Sequence, residues 1–387
     1  MSAARKMKTS DRINAVDTIE RLFGDDIHAL RVLSLANAVT GVLHAATLAV
    51  SAIGKAYAEE VGGDPKHGVK QVDRLLSNNG IEMATLFPLW IRYVVGPRPE
   101  IVVAMDWTDF DADGHSVLAI YLVSSHGRAT PMLWRTVEKA TLKGQRNAYE
   151  YAVVEELHAA LPPEVRITVL ADRGFGDQKL YQLLELLGWD YVIRFRSVVA
   201  VENETGETRK AGDWLPKSGR ATMIRNAKVT GERTPVPAVV LVHDKKMKEA
   251  WCLATTLAEQ SATHVVGLYG RRFTIEETFR DEKDPRFGLG LAQARVKSTG
   301  RRDRLLLLAA VAHALLTLLG AAGERVGLDR TLKVNTVKRR TMSLFNQGAY
   351  WYRALPNMRQ ERLEQLMPAY DAILREHEVI RQVFGLV

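Results

Sequence analysis

Over the first 95 residues apolar and polar positions recur with a helical period. Asp17–Leu30 and Val32–Tyr57 read as helices, Gly62–Pro65 as a break, and Lys66–Leu76 as a further helix. Pro97 and Pro99 mark a linker, after which the period changes. Glu100–Asp106 is an apolar run closed by an aspartate, the pattern of a buried strand with a carboxylate at its C-terminal edge. Val117–Ser124 and Ala129–Val137 follow as strands, joined through the turn-rich Asp109–His115 and through His126-Gly127, which predicts an antiparallel meander. An amphipathic helix at Asn147–Leu161 leads to a second apolar strand ending in an aspartate, Arg166–Asp172. A helix at Asp177–Gly188, stopped by its glycine, and a strand at Trp189–Arg196 complete the run. The order βββ-α-β-α-β predicts an α/β sheet with carboxylates gathered at one edge.

From Ser197 to Thr256 short Val- and Thr-rich runs alternate with Gly and Pro, and no helix of useful length is expected. That stretch reads as a β-rich insertion. A helical region holding Glu276 and the apolar helix Leu305–Leu319 follow. The expected division is therefore a helical domain over 1–96, an α/β domain over 97–196 and 257–320, and the insertion over 197–256 within it. Residues 321–387 form a basic helical tail holding Tyr350, Trp351 and Tyr352, long enough to make dimer contacts.

The formal net charge of +8 points mildly to a polyanionic partner, and its distribution sharpens this. Residues 331–353 hold Lys333, Lys338, Arg339, Arg340 and Arg353 with no acid, and Lys66, Lys70 and Arg74 form one basic helical stripe able to track a DNA backbone. The same stripe is equally the solvent face of a helix. The single cysteine, Cys252, excludes an internal disulfide framework and a cysteine-based zinc site. Val32–Ile53 carries no charge but has a polar stripe, and Leu305–Leu319 is short for a bilayer and holds His313, so neither is expected to span a membrane. With no leader expected at its polar start, the chain reads as cytoplasmic.

Candidate chemistry concentrates in Tyr269–Lys283, YGRRFTIEETFRDEK. Taken as one helix, it puts Tyr269, Arg272, Glu276 and Lys283 within about 60° of one another, with Arg280 on the same side. One carboxylate flanked by cations and a phenol suits a site that binds a metal among groups that grip phosphates. Asp106 and Asp172, each ending an apolar run, are further candidates, although each is also an ordinary strand-end turn residue. Such carboxylates repel one another unless a cation sits among them, and a pair of Mg²⁺ ions held this way drives phosphoryl transfer. Asp109, Asp111 and Asp113 read as a hairpin turn, because no glutamate completes a Ca²⁺ loop.

Tyr269-x2-Arg272-x3-Glu276-x6-Lys283 resembles the Y-R-E-K signature of bacterial insertion-sequence-four-type transposases with a DDE triad. AMDWT around Asp106 and LADRGFGD around Asp172 resemble that group's two aspartate motifs, so the likeness covers about residues 100–320. It implies an RNase H-like catalytic domain split by the β insertion. It further implies that Asp106, Asp172 and Glu276 ligate two Mg²⁺ ions, with Mn²⁺ able to substitute, and that Tyr269, Arg272 and Lys283 contact DNA phosphates. Trp251, in AWCLATTL, resembles a tryptophan that stacks an extruded base in some members, although a strand tryptophan is as readily core. The implied activity is cleavage of double-stranded DNA at inverted-repeat ends and strand transfer to target DNA by direct transesterification, by a synaptic homodimer in the bacterial nucleoid. The alternatives are a catalytically silent DNA-binding regulator and a structure-selective nuclease of the same fold.

Overall fold

The computed structural model describes residues 13, 15–286, 288–376, 380 and 383–385. The remaining parts of the expected terminal segments lie outside the described residues. The N-terminal segment holds α1 (Ala15–Phe23), α2 (Ala29–Ala45), α3 (Val50–Val61), α4 (Pro65–Leu76) and α5 (Met83–Val95). The single helix expected over Val32–Tyr57 is two helices, bent by 98° between α2 and α3. Ala46 enters the left-handed region at φ 48° and returns its N–H to Val42. The next turn is fixed from outside, where the Leu48 N–H donates to the Leu289 carbonyl. A uniformly apolar stretch conceals such a break because neither Gly nor Pro announces it.

The meander follows as β1 (Glu100–Phe110), β2 (His115–Val123) and β3 (Ala129–Glu138), then α6 (Arg146–Ala160), β4 (Arg166–Ala171), α7 (Gln178–Leu186) and β5 (Asp190–Phe195). β1 pairs antiparallel with β2 and parallel with β4, which in turn pairs parallel with β5. β2 is buried along its whole length, as its unbroken apolar pattern requires. Asp106 does not end β1, as its pattern suggested. The strand runs on to Phe110, because β2 continues to pair with Trp107–Phe110 after β4 has stopped.

Residues 197–256 supply β6 (Ala200–Glu202), β7 (Thr208–Lys210), β8 (Thr222–Val229), β9 (Thr234–Val242) and β10 (Trp251–Thr255). These strands extend the same sheet, with β10 pairing antiparallel to β5. The resulting ten-stranded order is β3-β2-β1-β4-β5-β10-β9-β8-β6-β7. α8 (Ala262–Gly270) and α9 (Phe273–Lys283) then return the chain to the β1–β2 region.

The apolar helix belongs to a longer one, α10 (Thr299–Arg325). Its length and composition would let it cross a bilayer, but 94% of its apolar window is buried in the fold. It packs on β3, α2, α11 (Leu344–Ala354) and α12 (Gln360–Arg375). Contact with α11 is backbone to backbone: a Cβ at Gly348 would lie 1.7 Å from the Leu316 carbonyl oxygen. At its N-terminal end the buried Arg302 donates to His115 at 3.0 Å, pairs with Asp113 and covers the Phe110 ring. That clamp fixes the β1–β2 turn, and with it the strand carrying Asp106. Tyr350 is exposed while Trp351 and Tyr352 are buried against the core.

Candidate active site

Strand register brings the two aspartates together. Met105 pairs with Ala171 in the parallel β1–β4 ladder, so Asp106 and Asp172 are the next residues on adjoining strands. β4 ends there, and the Asp172 carboxylate turns to accept the Gly174 N–H at 2.7 Å. A side chain at Gly174 would crowd it, since a Cβ would stand 3.0 Å from the same oxygen. Asp106 accepts the Trp107 N–H at 2.9 Å, and its other oxygen receives Arg272 at 3.2 Å. Arg272 also reaches Glu276 at 2.5 Å, so one guanidinium bridges a strand carboxylate to a helix carboxylate.

Burial dominates the electrostatics. It pushes the Asp106 carboxyl up to about 6; Arg272 opposes the rise, and Asp172 and Glu276 add to it. Arg272 is 5% exposed and stays firmly cationic, because Tyr269, Asp106 and Glu276 outweigh its own burial. Its Nε is buried without an acceptor, while its guanidinium lies 4.7 Å from the Phe273 ring. A cleft runs beside the pair, lined by Trp107, Thr108, Arg146 and Gly174 among others. The Trp107 ring is fixed by donation to the buried Glu150 at 2.8 Å and is covered by Arg146 at 4.9 Å.

The stretch expected as one helix is interrupted between α8 and α9. Arg271 and Arg272 donate to Leu268 and Tyr269, three residues back, which tightens the turn. Tyr269 is consequently buried, and burial raises its hydroxyl pKa. Its ring meets Trp251 edge-on at 4.9 Å, and Trp251 lies 6.0 Å from Phe273. Trp251 is half-buried at the start of β10, so it forms part of an aromatic cluster next to Arg272. Lys283 spends its ammonium on β1, donating to Thr108 at 3.0 Å and to the Asp109 carbonyl at 2.8 Å. Arg280 stands one turn beyond Glu276 on α9 but pairs with Glu277, which also meets Arg128. Lys66, Lys70 and Arg74 lie exposed on α4, and no contact of the carboxylate site reaches them among the described residues.

Arg146 and Glu150 have no signal in the sequence because their partner Trp107 is distant, and Phe273 has none because its part depends on the fold setting it beside Trp251 and the Arg272 guanidinium. Asp109 and Asp111 are held by Lys139 in the expected turn. Three carboxylates offer only hard oxygen donors, which suit a divalent cation such as Mg²⁺ or Mn²⁺. Among the described residues no three His, Cys, Asp or Glu side chains stand at ligating separations, and Arg272 supplies the positive charge between Asp106 and Glu276. The donor set fits a cation that shares or displaces that guanidinium.

A carboxylate pair on adjoining parallel strands, with a third carboxylate on a cation-bearing helix, is an arrangement that metal-dependent phosphoryl transfer can use. The family model described as "Transposase DDE domain" matches residues 97–315, more than half of the chain, and the chain belongs to that family. Membership makes it a transposase by family, of a kind that cleaves DNA with divalent metal. No curated protein matches the chain.

Proposed function

We propose that the chain is an insertion-sequence-four-type transposase with the Y-R-E-K signature, cutting DNA at the inverted-repeat ends of its element and joining them to target DNA. The observation that carries this is the register setting Asp106 beside Asp172, with Arg272 linking Asp106 to Glu276. The strand order β3-β2-β1-β4-β5, a meander followed by two parallel strands, supports an RNase H-like catalytic domain. On this reading residues 1–96 form a helical DNA-binding domain, 197–256 an insertion in the catalytic domain, and 321–387 a helical segment that contributes to dimerisation.

Asp106, Asp172 and Glu276 would hold two Mg²⁺ ions, which supply activation of the attacking oxygen and neutralise charge on the leaving oxygen. The protein's own groups do the rest. Arg272, freed from the carboxylates, would grip a phosphate with its planar fork, and Tyr269 and Lys283 would reach the same strand only on leaving the burial and the β1 hydrogen bonds that hold them here. Trp251 offers a π face on which an extruded base stacks. Attack by water exposes a 3′-hydroxyl at each end, and that hydroxyl then displaces a phosphate oxygen of the second strand or target, leaving no bond to the protein. The partner is double-stranded DNA, the acting form a homodimer, and the compartment the bacterial cytoplasm.

The test is incubation of the purified protein with DNA bearing the inverted repeats that flank its gene, with Mg²⁺ or with chelator. Metal-dependent nicks at the repeat boundaries support the reading. Binding without nicks would make the chain a silent regulator, and cleavage indifferent to the repeats would make it a structure-selective nuclease.

A further inference from the structure

Along the sheet edge that carries Asp106 and Asp172, the next strands are β5 and β10, and a second cleft opens between the end of one and the start of the other. It is lined by Arg173, Arg194, Arg196 and Ser197, and Glu249 is its one acid among the described residues. Glu249 stands just before β10, in a turn whose Lys245, Lys246 and Lys248 are all exposed. One oxygen of its carboxylate takes Arg194 at 2.8 Å and Arg173 at 3.3 Å. Arg194 also donates to the Ala250 carbonyl at 3.0 Å, and its Nε is buried with no acceptor. Hydrogen bonding from Arg194 keeps the Glu249 carboxyl below its usual range, so it is fully ionised at neutral pH.

Two guanidinium groups converging on one anionic oxygen, with a third arginine in the same cleft, is the arrangement that recognises a phosphate. Glu249 is 51% exposed, so it lines the cleft at the surface rather than in the core. Arg173 directly follows Asp172, so a DNA strand running past the aspartates meets this cleft next.

We propose that Glu249 is an internal stand-in for a DNA phosphate: it holds Arg173 and Arg194 in the free protein, and a backbone phosphate displaces it when DNA binds. The DNA part of this inference rests on the transposase reading above; the competition between carboxylate and phosphate does not. Removing the carboxylate charge while keeping its shape frees both arginines before DNA arrives.

The experiment compares wild type, Glu249→Gln and Glu249→Ala in fluorescence-anisotropy titrations of a labelled duplex at fixed salt. Glu100→Gln is the charge-matched control, because Glu100 pairs with Arg166 at the opposite end of β1 and β4. Both Glu249 variants should bind about threefold to tenfold more tightly than the control, and Arg194→Ala added to Glu249→Gln should erase that gain. In parallel, inorganic phosphate should raise the melting temperature of Glu249→Gln and leave wild type unmoved. A Glu249→Gln variant that binds DNA no better than Glu100→Gln, or whose gain survives Arg194→Ala, overturns the proposal. If no variant binds DNA the transposase reading fails instead, and the phosphate melts alone then decide the role of Glu249.

Discussion

Arg272→Ala separates a guanidinium that merely braces the fold from one that stands where a metal belongs. Arg272 is nearly fully buried and contacts both Asp106 and Glu276, so its removal leaves the Asp106 carboxylate buried without a counter-charge. Glu276 is 48% exposed and loses little, because water takes over its solvation. Breaking a buried pair by deleting one partner costs about 3–5 kcal/mol, and the lower end applies with only one carboxylate stranded. At about 2.1 cal/mol/K per residue this chain unfolds with about 0.8 kcal/mol/K, so about 3 kcal/mol lowers Tm by roughly 4 °C. Saturating Mg²⁺ then does opposite things to the two proteins. Wild type must give up the guanidinium contacts to seat the cation, whereas in the variant the cation relieves the stranded carboxylate directly. A free ion at a hundred times its Kd stabilises by about 2.7 kcal/mol, and the variant should keep all of it. Thermal melts with Mg²⁺ and with chelator should therefore show a larger shift in Arg272→Ala than in wild type, by up to about 3 °C. Equal shifts, or a smaller one in the variant, would refute the idea that guanidinium and metal share these carboxylates.

Asp106→Asn, Asp172→Asn and Glu276→Gln should each abolish cleavage while leaving binding to repeat ends largely intact; near-normal cleavage by any purified variant removes that residue from the triad. Where the 3′-hydroxyl attacks the second strand and so closes the end into a hairpin, Trp251→Ala should keep the first nick and lose that hairpin by tenfold or more, at a stability cost of only about 1–2 kcal/mol, because the ring is half-buried. A denaturing gel that follows both products beside a melt checks this, and a parallel fall in both products speaks for a packing role. Burial holds the Glu282 carboxyl at about 8 against 4.5 for the ordinary group, although Tyr121 donates to it at 3.0 Å. The folded state thus keeps a proton that the unfolded chain releases, so stability falls as pH rises from about 4.5 through 8. Glu282→Gln should flatten that decline by up to about 1.4 kcal/mol per pH unit in urea titrations at several pH values, and an unchanged slope would count against it.

Strand and helix positions in the central region were readable because each buried strand is a short apolar run with a punctuating turn. Asp106 and Asp172 drew notice because each follows such a run. Their adjacency was not readable, since it depends on the β1–β4 register, and an apolar pattern buried on both faces does not specify register. The extension of β1 to Phe110 was hidden for a related reason: Trp107–Phe110 lacks a continuous apolar run and is held by β2 alone. The helix break at Ala46 has no local signal because the residues there are good helix formers, whereas the break at Arg271–Arg272 follows Gly270, a stop outweighed by the helical spacing of the charged residues around it. The pairing of β10 with β5 joins segments about sixty residues apart, so neither the continuity of the sheet nor the Arg194–Glu249 contact has a local signal.

Strand joining with a pre-cut end isolates the attack of the 3′-hydroxyl on target DNA. A labelled duplex carrying the inverted repeat and a free 3′-hydroxyl is incubated with supercoiled plasmid, protein and Mg²⁺. Direct transfer yields label covalently joined to relaxed or linear plasmid, and no product when the 3′ end is dideoxy or Asp106 is changed to Asn. Plasmid nicking that never acquires label, or joining that persists with the dideoxy end, would contradict transfer by direct attack of the element's own 3′-hydroxyl.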